Sequence, residues 1–407
     1  MVTIRAVRHA LVPRDSDAAV AVSCPNYDEF QSDREVWDLV QGRPFAILRT
    51  TMPHCDTASP DAFLEEGSAE ALDRAGANLR RLRREGPVEE VRDSVWVYSI
   101  EKNGRTQTGL LCMALTGEIR TEANPAGCIV RNEGIRESKA RGRADLIQAT
   151  KSFIGAVNNA IEDTTGRVAA ELREVTSSRD CDFAVKDEGG ATHRLWRVSS
   201  PEPIAKLSRL LAEEPVAYVA DGNHRSAAAA LLGHEEFLNV IFPVRETGIA
   251  PYNRLVRTDL APASVLERAS DAFEIEALGT DPFSPNRVHE IGLFAGGRWH
   301  RLRPKDGTFD PDDAAQDIDA DIVQRNLFAR VLGLDDPKDA AIDFVGGNKS
   351  AAYLQRRVES GDHQLAITLA PVTVDQFVEV CRQNRFMPPK STWFDPKVRS
   401  GLVIALL

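Results

Sequence analysis

VAYVADGNHRSAAAALL, residues 216–232, is the stretch on which the fold turns. Its β-branched and aromatic start, Val216 to Val219, predicts a buried strand. Asp221-Gly222 is a tight-turn pair, and the Ala/Leu run that opens near Ser226 predicts a helix. A strand, a glycine turn and a helix start in succession make a good anion site. The amides of the first helical turn have no acceptor inside the helix, and the positive end of the helix dipole favours negative charge. Within that reading Gly222, Asn223, His224, Arg225 and Ser226 are candidate phosphate contacts. Arg225 offers a planar fork to phosphate oxygens, and His224 either donates a hydrogen bond or moves a proton. Asp221 is a candidate base or metal ligand. The competing reading is a core helix capped by Asp221, with His224 and Arg225 satisfied at the surface.

Outward from this stretch, bulk properties narrow the class. The chain has 407 residues, enough for two or three domains, and a formal charge of −11 that opposes general nucleic-acid binding. Six cysteines lie far apart with no CxxC pair, which excludes a disulfide framework or zinc ribbon and fits a reduced cytoplasm. The N-terminal residues carry charges inside their apolar stretch and lack a signal-peptide pattern, and no apolar run suits a membrane span. The expected partners are therefore a small-molecule substrate, no nucleic acid, no membrane, and at most a second copy of the chain.

Along the chain, Ser94–Glu101 and Gln107–Leu115 alternate around Asn103-Gly104 and predict a hairpin. Strands are expected at 45–49, 171–175, 238–244, 273–278, 341–344 and 365–369, with the terminal strand 402–406 at a sheet edge. Ala18–Val22 reads as a strand or helix edge. Helices are expected at 32–41, 60–84, 148–162, 201–213, 263–272, 321–332 and 374–385. The pattern is mixed α+β, with a larger region over residues 1–257 and a smaller C-terminal lobe over 258–407.

Three further polar clusters accompany the central turn. In Pro25-Asn26-Tyr27-Asp28-Glu29 a proline turn displays two carboxylates, suited to a general base or a Mg²⁺ ligand, or to an ordinary Asx turn. Arg131, Glu133, Arg136, Lys139, Arg141 and Arg143 form a charged run in which Lys139 and Arg143, four apart, converge on one anion if helical. Glu133 beside them is a candidate base or metal ligand; a solvated, salt-bridged helix face is the bland alternative. Finally, Pro388-Pro389 present Lys390, Ser391 and Thr392 in a loop that resembles a phosphate clasp. No P-loop, dinucleotide-binding, HExxH or GxSxG pattern is present.

PNYDEF, the hairpin ending QTGL, RNEGIRESKARGR, YVADGNHRSAAA, PYNRLV and MPPKSTWFDPKVRSGLVI together resemble a bacterial and archaeal family called domain of unknown function 1015, over nearly the full length. The family's central motif, Asp-Gly-His-His-Arg, is similar to one in ParB-like and sulfiredoxin-like proteins, among them free serine kinases, where the turn holds nucleotide phosphates. The resemblance carries over to Asp221, Gly222, His224 and Arg225, and to Arg131, Glu133, Lys139 and Arg143. Asn223, Asn132, Ile135 and Gly142 depart from the pattern. It implies a ParB/sulfiredoxin-like nucleotide-binding core in the first region, and a nucleotide-dependent phosphotransferase using ATP or ADP with Mg²⁺ on serine or a serine-like amino acid. The implied site comprises catalytic Glu133, Asp28, Asp221 and His224, metal ligands Glu133 and Asp221, and substrate contacts Tyr27, Arg131, Asn253 and Arg254. A phosphatase on the same anion site and a non-catalytic nucleotide-binding regulator are the alternatives.

Overall fold

The computed structural model describes residues 1–407, which divide into two compact units. The first comprises 1–131, 135–247 and 396–407; the second comprises 132–134 and 248–395. No helix in either is long and apolar enough to cross a membrane.

The first unit is built on a twelve-stranded mixed sheet. Val88–Lys102 and Arg105–Leu115 form its long hairpin, turning at Asn103 and Gly104, both left-handed. The hairpin buries Trp96, Tyr98, Leu110 and Leu111 in the main core. Glu236–Pro243 pairs with Arg105–Leu115, and Val157–Ile161 pairs with Glu236–Pro243. Ala217–Asp221 follows antiparallel to Val157–Ile161, and Ile129–Arg131 closes that side, parallel to Ala217–Asp221 with Val219 opposite Arg131. Both of these last strands therefore end at the same side of the sheet, and each leads into a helix: Glu137–Thr150 after the first, Asn223–Leu231 after the second. Buried Ala140 and Ala144 on one and Ala227 to Ala229 on the other are small enough for close packing. An irregularity between Val219 and Asp221 shifts the register against Val157–Ile161 and re-aims Asp221.

The second unit carries a six-stranded antiparallel sheet. Its order is Phe273–Gly279, Arg298–Pro304, Ile291–Ala295, Leu365–Leu369, Asn253–Val256 and Ile342–Val345. A two-stranded ribbon joins Ile249–Ala250 to Trp393–Phe394.

Several expected elements differ, each for a local reason. Phe45–Arg49 is not a strand: it turns into the short helix Leu48–Thr51, and the Ile47 amide donates to Val22 rather than to a ladder. The helix expected at 148–162 is displaced. It ends at Thr150, where left-handed Lys151 breaks it, and the β-rich run 157–161 is a buried strand. Residues 171–175 are helical, inside Arg167–Ser178, whose first turn is tied down by Asp163 accepting from the Val168 and Ala169 amides. Ser16–Val22 is helical behind an Asp15 cap. The helix expected from residue 60 starts only at Ala69, behind a Ser68 cap. The terminal strand Ile404–Leu406 is interior, paired with Val7–Pro13 on one side and Ser152–Phe153 on the other.

Candidate functional site

Gly222 sets the geometry of the central turn. Its φ of +100° is open to glycine and strained for any residue with a Cβ, and an added Cβ would also lie 3.0 Å from Arg225 Nε. The Arg225 side chain therefore folds back over the turn it follows. Gly222→Ala is expected to cost about 1–3 kcal/mol of stability and to displace Arg225, measurable by urea unfolding.

Arg225 is 10% exposed. It donates to the Ala156 carbonyl and, through Nη2, to Asp221 Oδ1 at 3.2 Å. Its Nε is buried with no partner. Burial opposes its charge, but Asp221, Tyr27 and Asp28 outweigh burial and hold its pKa above the ordinary value. The other Asp221 oxygen accepts from Lys397 Nζ at 2.7 Å, with Lys397 7% and Asp221 19% exposed. One carboxylate is thus clamped between two buried cations.

Lys397 is delivered by the C-terminal strap. The Pro396 carbonyl accepts from Gln107, the Val398 carbonyl accepts from Asn26 Nδ2 at 2.7 Å, and Ser400 donates to Asn26 Oδ1. Arg399 is held by Glu188 and Ser23, and its amide donates to Tyr98, which pairs with His193 and through it with Asp187.

The Asn26–Glu29 turn is closed as a capping box, with Glu29 Oε1 accepting from the Asn26 amide at 2.7 Å. Burial, then the like charges of Asp28 and Asp221, push the Glu29 carboxyl up to about 7 against the opposing pull of Lys397. Asp28 Oδ1 is buried and unpartnered. The Arg143 guanidinium stacks on the Tyr27 ring, 3.5 Å from its centre. Asn158, opposite Asp221 in the sheet, also keeps a buried, unpartnered Oδ1. Beside these groups a cleft of about 50 Å³ is lined by Leu146, Ile147, Phe153, Ile154, Phe237 and Leu238, with Tyr27, Arg143 and Arg225 also at its wall.

Of the residues read from sequence, the first unit gathers Tyr27, Asp28, Asp221, Gly222 and Arg225, with Arg143 stacked on Tyr27. His224 is turned to the neighbouring helix: its Nε2 accepts from the Arg136 amide at 3.0 Å, which fixes the proton on Nδ1 and removes Nε2 as a proton carrier. Asn223 is buried, and the Ser226 hydroxyl donates to the Asn223 carbonyl. The Arg225 and Ser226 amides both donate to the Gly222 carbonyl and close the first turn of the helix. Lys139 is exposed on its helix, and Arg131 ends its strand with Nε buried and unpartnered.

Other candidates belong to the second unit. Glu133 bridges to Met387, whose amide donates to Asn132. Lys390 has a φ of +60° and an ammonium 5.2 Å from the Tyr252 ring centre; Ser391 donates to the Pro388 carbonyl within its own loop, and Thr392 leads into the ribbon. Asn253 and Arg254, read as substrate contacts, are buried framework groups. Asn253 accepts from the Leu369 amide, and Arg254 donates to the carbonyls of Tyr252 and Lys390.

Lys397 was not among the residues expected from sequence, and Glu29 was expected only as one of the two carboxylates of the proline turn. Asn26 and Glu29 sit at capping-box spacing, a signal legible without coordinates.

No curated protein matches the chain. Among solved structures, a free serine kinase in complex with AMP is 11% identical, covering 68% of this chain and 89% of that one at a TM-score of 0.38. A conserved hypothetical protein from Pyrococcus furiosus is 11% identical, covering 66% and 87% at 0.36. SbnI from Staphylococcus aureus, truncated at its C-terminus, is 9% identical, covering 72% and 87% at 0.38. The sequence model described as "Protein of unknown function (DUF1015)" matches residues 4–327, most of the chain, and the protein belongs to that family.

Proposed function

We propose that this protein transfers a phosphoryl group from ATP or ADP to the hydroxyl of a small metabolite, serine or a serine-like amino acid first. The observation that carries the reading is the Lys397–Asp221–Arg225 charge chain at a glycine-turned helix start, with the half-buried Glu29 carboxyl, pushed up to about 7, beside it. Phosphoryl transfer asks for positioned phosphates, neutralised charge and a base at the attacking hydroxyl. The Gly222–His224 turn and Arg225 supply the first two, and a carboxylate with a pKa near 7 suits the third. The cleft's apolar lining beside Tyr27 and Arg143 suits the flat face of a base. The acceptor class follows from the resemblance of the Asp-Gly-x-His-Arg motif to that of free serine kinases.

Asp28, with an unpartnered buried oxygen, and Glu29 are the carboxylates that fit Mg²⁺, a hard cation that prefers oxygen ligands. When bound, the ion neutralises charge on the donor's phosphates. Asp221 suits an organising role better, since both its oxygens are already engaged by cations. Glu133, Lys139, Lys390, Ser391 and Thr392 remain proposed contributors.

The test is a nucleotide-consumption screen, ATP against ADP, with Mg²⁺ over a panel of hydroxy amino acids, the product identified by mass. Absence of saturable nucleotide binding sinks the proposal; binding without turnover favours the regulator, and release of phosphate from a phosphorylated amino acid favours the phosphatase. Arg225→Ala is expected to weaken nucleotide binding roughly ten- to a hundred-fold, about 1.5–3 kcal/mol for a charge-assisted contact. Unchanged affinity in a folded variant counts against the site.

A further inference from the structure

We propose that Asp33, His54 and Cys55 form a binding site for a thiophilic divalent cation of the zinc type. The three residues share nothing with the cleft or the Glu29–Asp221–Lys397 cluster. Their ligand atoms, a carboxylate oxygen, an imidazole nitrogen and a sulfur, all lie within 4.8 Å of one another. Zinc bound tetrahedrally at about 2.0–2.3 Å places ligand atoms roughly 3.3–3.7 Å apart. The His54 Nε2 to Asp33 Oδ1 distance is 3.3 Å, long for a charged hydrogen bond and right for such an edge. The Cys55 sulfur lies beside the same carboxylate.

The trio is held by its framework. Pro53 opens the tight helical turn Pro53–Cys55, which buries His54 and Cys55 side by side. Asp33 opens the helix Asp33–Val40 behind the Ser32 cap. Trp37 of that helix donates to the Thr57 carbonyl at 3.0 Å, and the Leu64 amide donates to the His54 carbonyl, so helix and turn are tied at both flanks. Asp33 is exposed, giving an ion access from solvent and leaving a fourth position for water. Glu66 adds negative charge nearby. Sulfur and imidazole together select zinc, cobalt(II) or copper over Mg²⁺ and Ca²⁺. On binding, the metal–sulfur bond replaces the Cys55 S–H bond, and the thiol proton leaves to solvent.

The test uses the full chain stripped with a chelator, titrated with zinc by calorimetry and with cobalt(II) by absorption. One zinc per chain is expected, together with a thiolate-to-cobalt charge-transfer band. Cys55→Ser is expected to abolish the band and weaken zinc binding at least about a hundred-fold, beyond what loss of an outer-sphere partner costs. Asp33→Asn, on an exposed position that leaves folding intact, is expected to weaken zinc about ten-fold or more while keeping the band, and it decides the matter if Cys55→Ser does not fold. Failure of zinc to bind saturably, a cobalt spectrum without the band, or unchanged affinity in the variants overturns the proposal.

Discussion

Asp221→Asn is expected to lower the unfolding free energy by about 3–5 kcal/mol, the range for removing one partner of a buried ion pair. The substitution keeps the side chain's shape, so the loss reads charge rather than packing. It removes the anion held between Lys397 at 2.7 Å and Arg225 at 3.2 Å, all three side chains being less than a fifth exposed. Two buried cations are then left beside one another. Asp28 and Glu29 offset part of this, and more so above pH 7, where Glu29 ionises. Lys397→Met in the same chain removes one of the stranded charges, so the double variant is expected to regain at least half of the loss. Hydrogen exchange across 217–231 follows the first unit by itself, and urea unfolding gives the magnitude. A loss under about 1 kcal/mol, or strict additivity of the two substitutions, rules out the clamp.

The parts of this arrangement made from neighbours in sequence were legible without coordinates. Val216 to Val219, Asp221-Gly222 and the alanine run specify strand, left-handed turn and close-packed helix from local chemistry alone, and Asn103-Gly104 does the same for the long hairpin. Where local signals conflict, the reading failed. Residues 157–161 are separated from the helix by Gly155, but the break itself comes from Lys151 turning left-handed, which no propensity announces. Residues 171–175 hold one β-branched side chain, Val175, and the Asp163 carboxylate, eight to twelve residues earlier, commits the segment to a helix. The charge clamp was beyond reach for another reason. Lys397 meets Asp221 across 176 residues, and Arg399 meets Ser23 across 376. Which lysine of the final motif faces which carboxylate is a property of the assembled sheet, in which Ile404–Leu406 is an inner strand.

Glu29→Gln is expected to cut turnover by two orders of magnitude or more, within the range for loss of a general base. Nucleotide affinity should change far less, since the phosphates are proposed to rest on the 222–225 turn. The same substitution carries a second, opposite signature. A carboxyl whose folded pKa, about 7, lies above its unfolded value near 4.5 binds more protons folded than unfolded between those two values. Stability contributed by that group is present below pH 4.5 and declines as pH rises toward 7, after which the penalty is constant. Glutamine carries no such penalty. The variant should therefore melt at or above the parent temperature at pH 8, and the gap should close on going down to pH 5. For the parent protein, kcat/KM in the proposed reaction should rise with pH through a limb near 7, far above the ordinary carboxylate range, and that limb should vanish in the variant. A Glu29 that only closes the Asn26 capping box predicts other data: turnover nearly intact, and a variant slightly less stable at every pH. Should the large fall in turnover appear in Glu133→Gln and not in Glu29→Gln, the assignment of the base to Glu29 is wrong. Rates and melting curves at three pH values on the same preparations separate these cases.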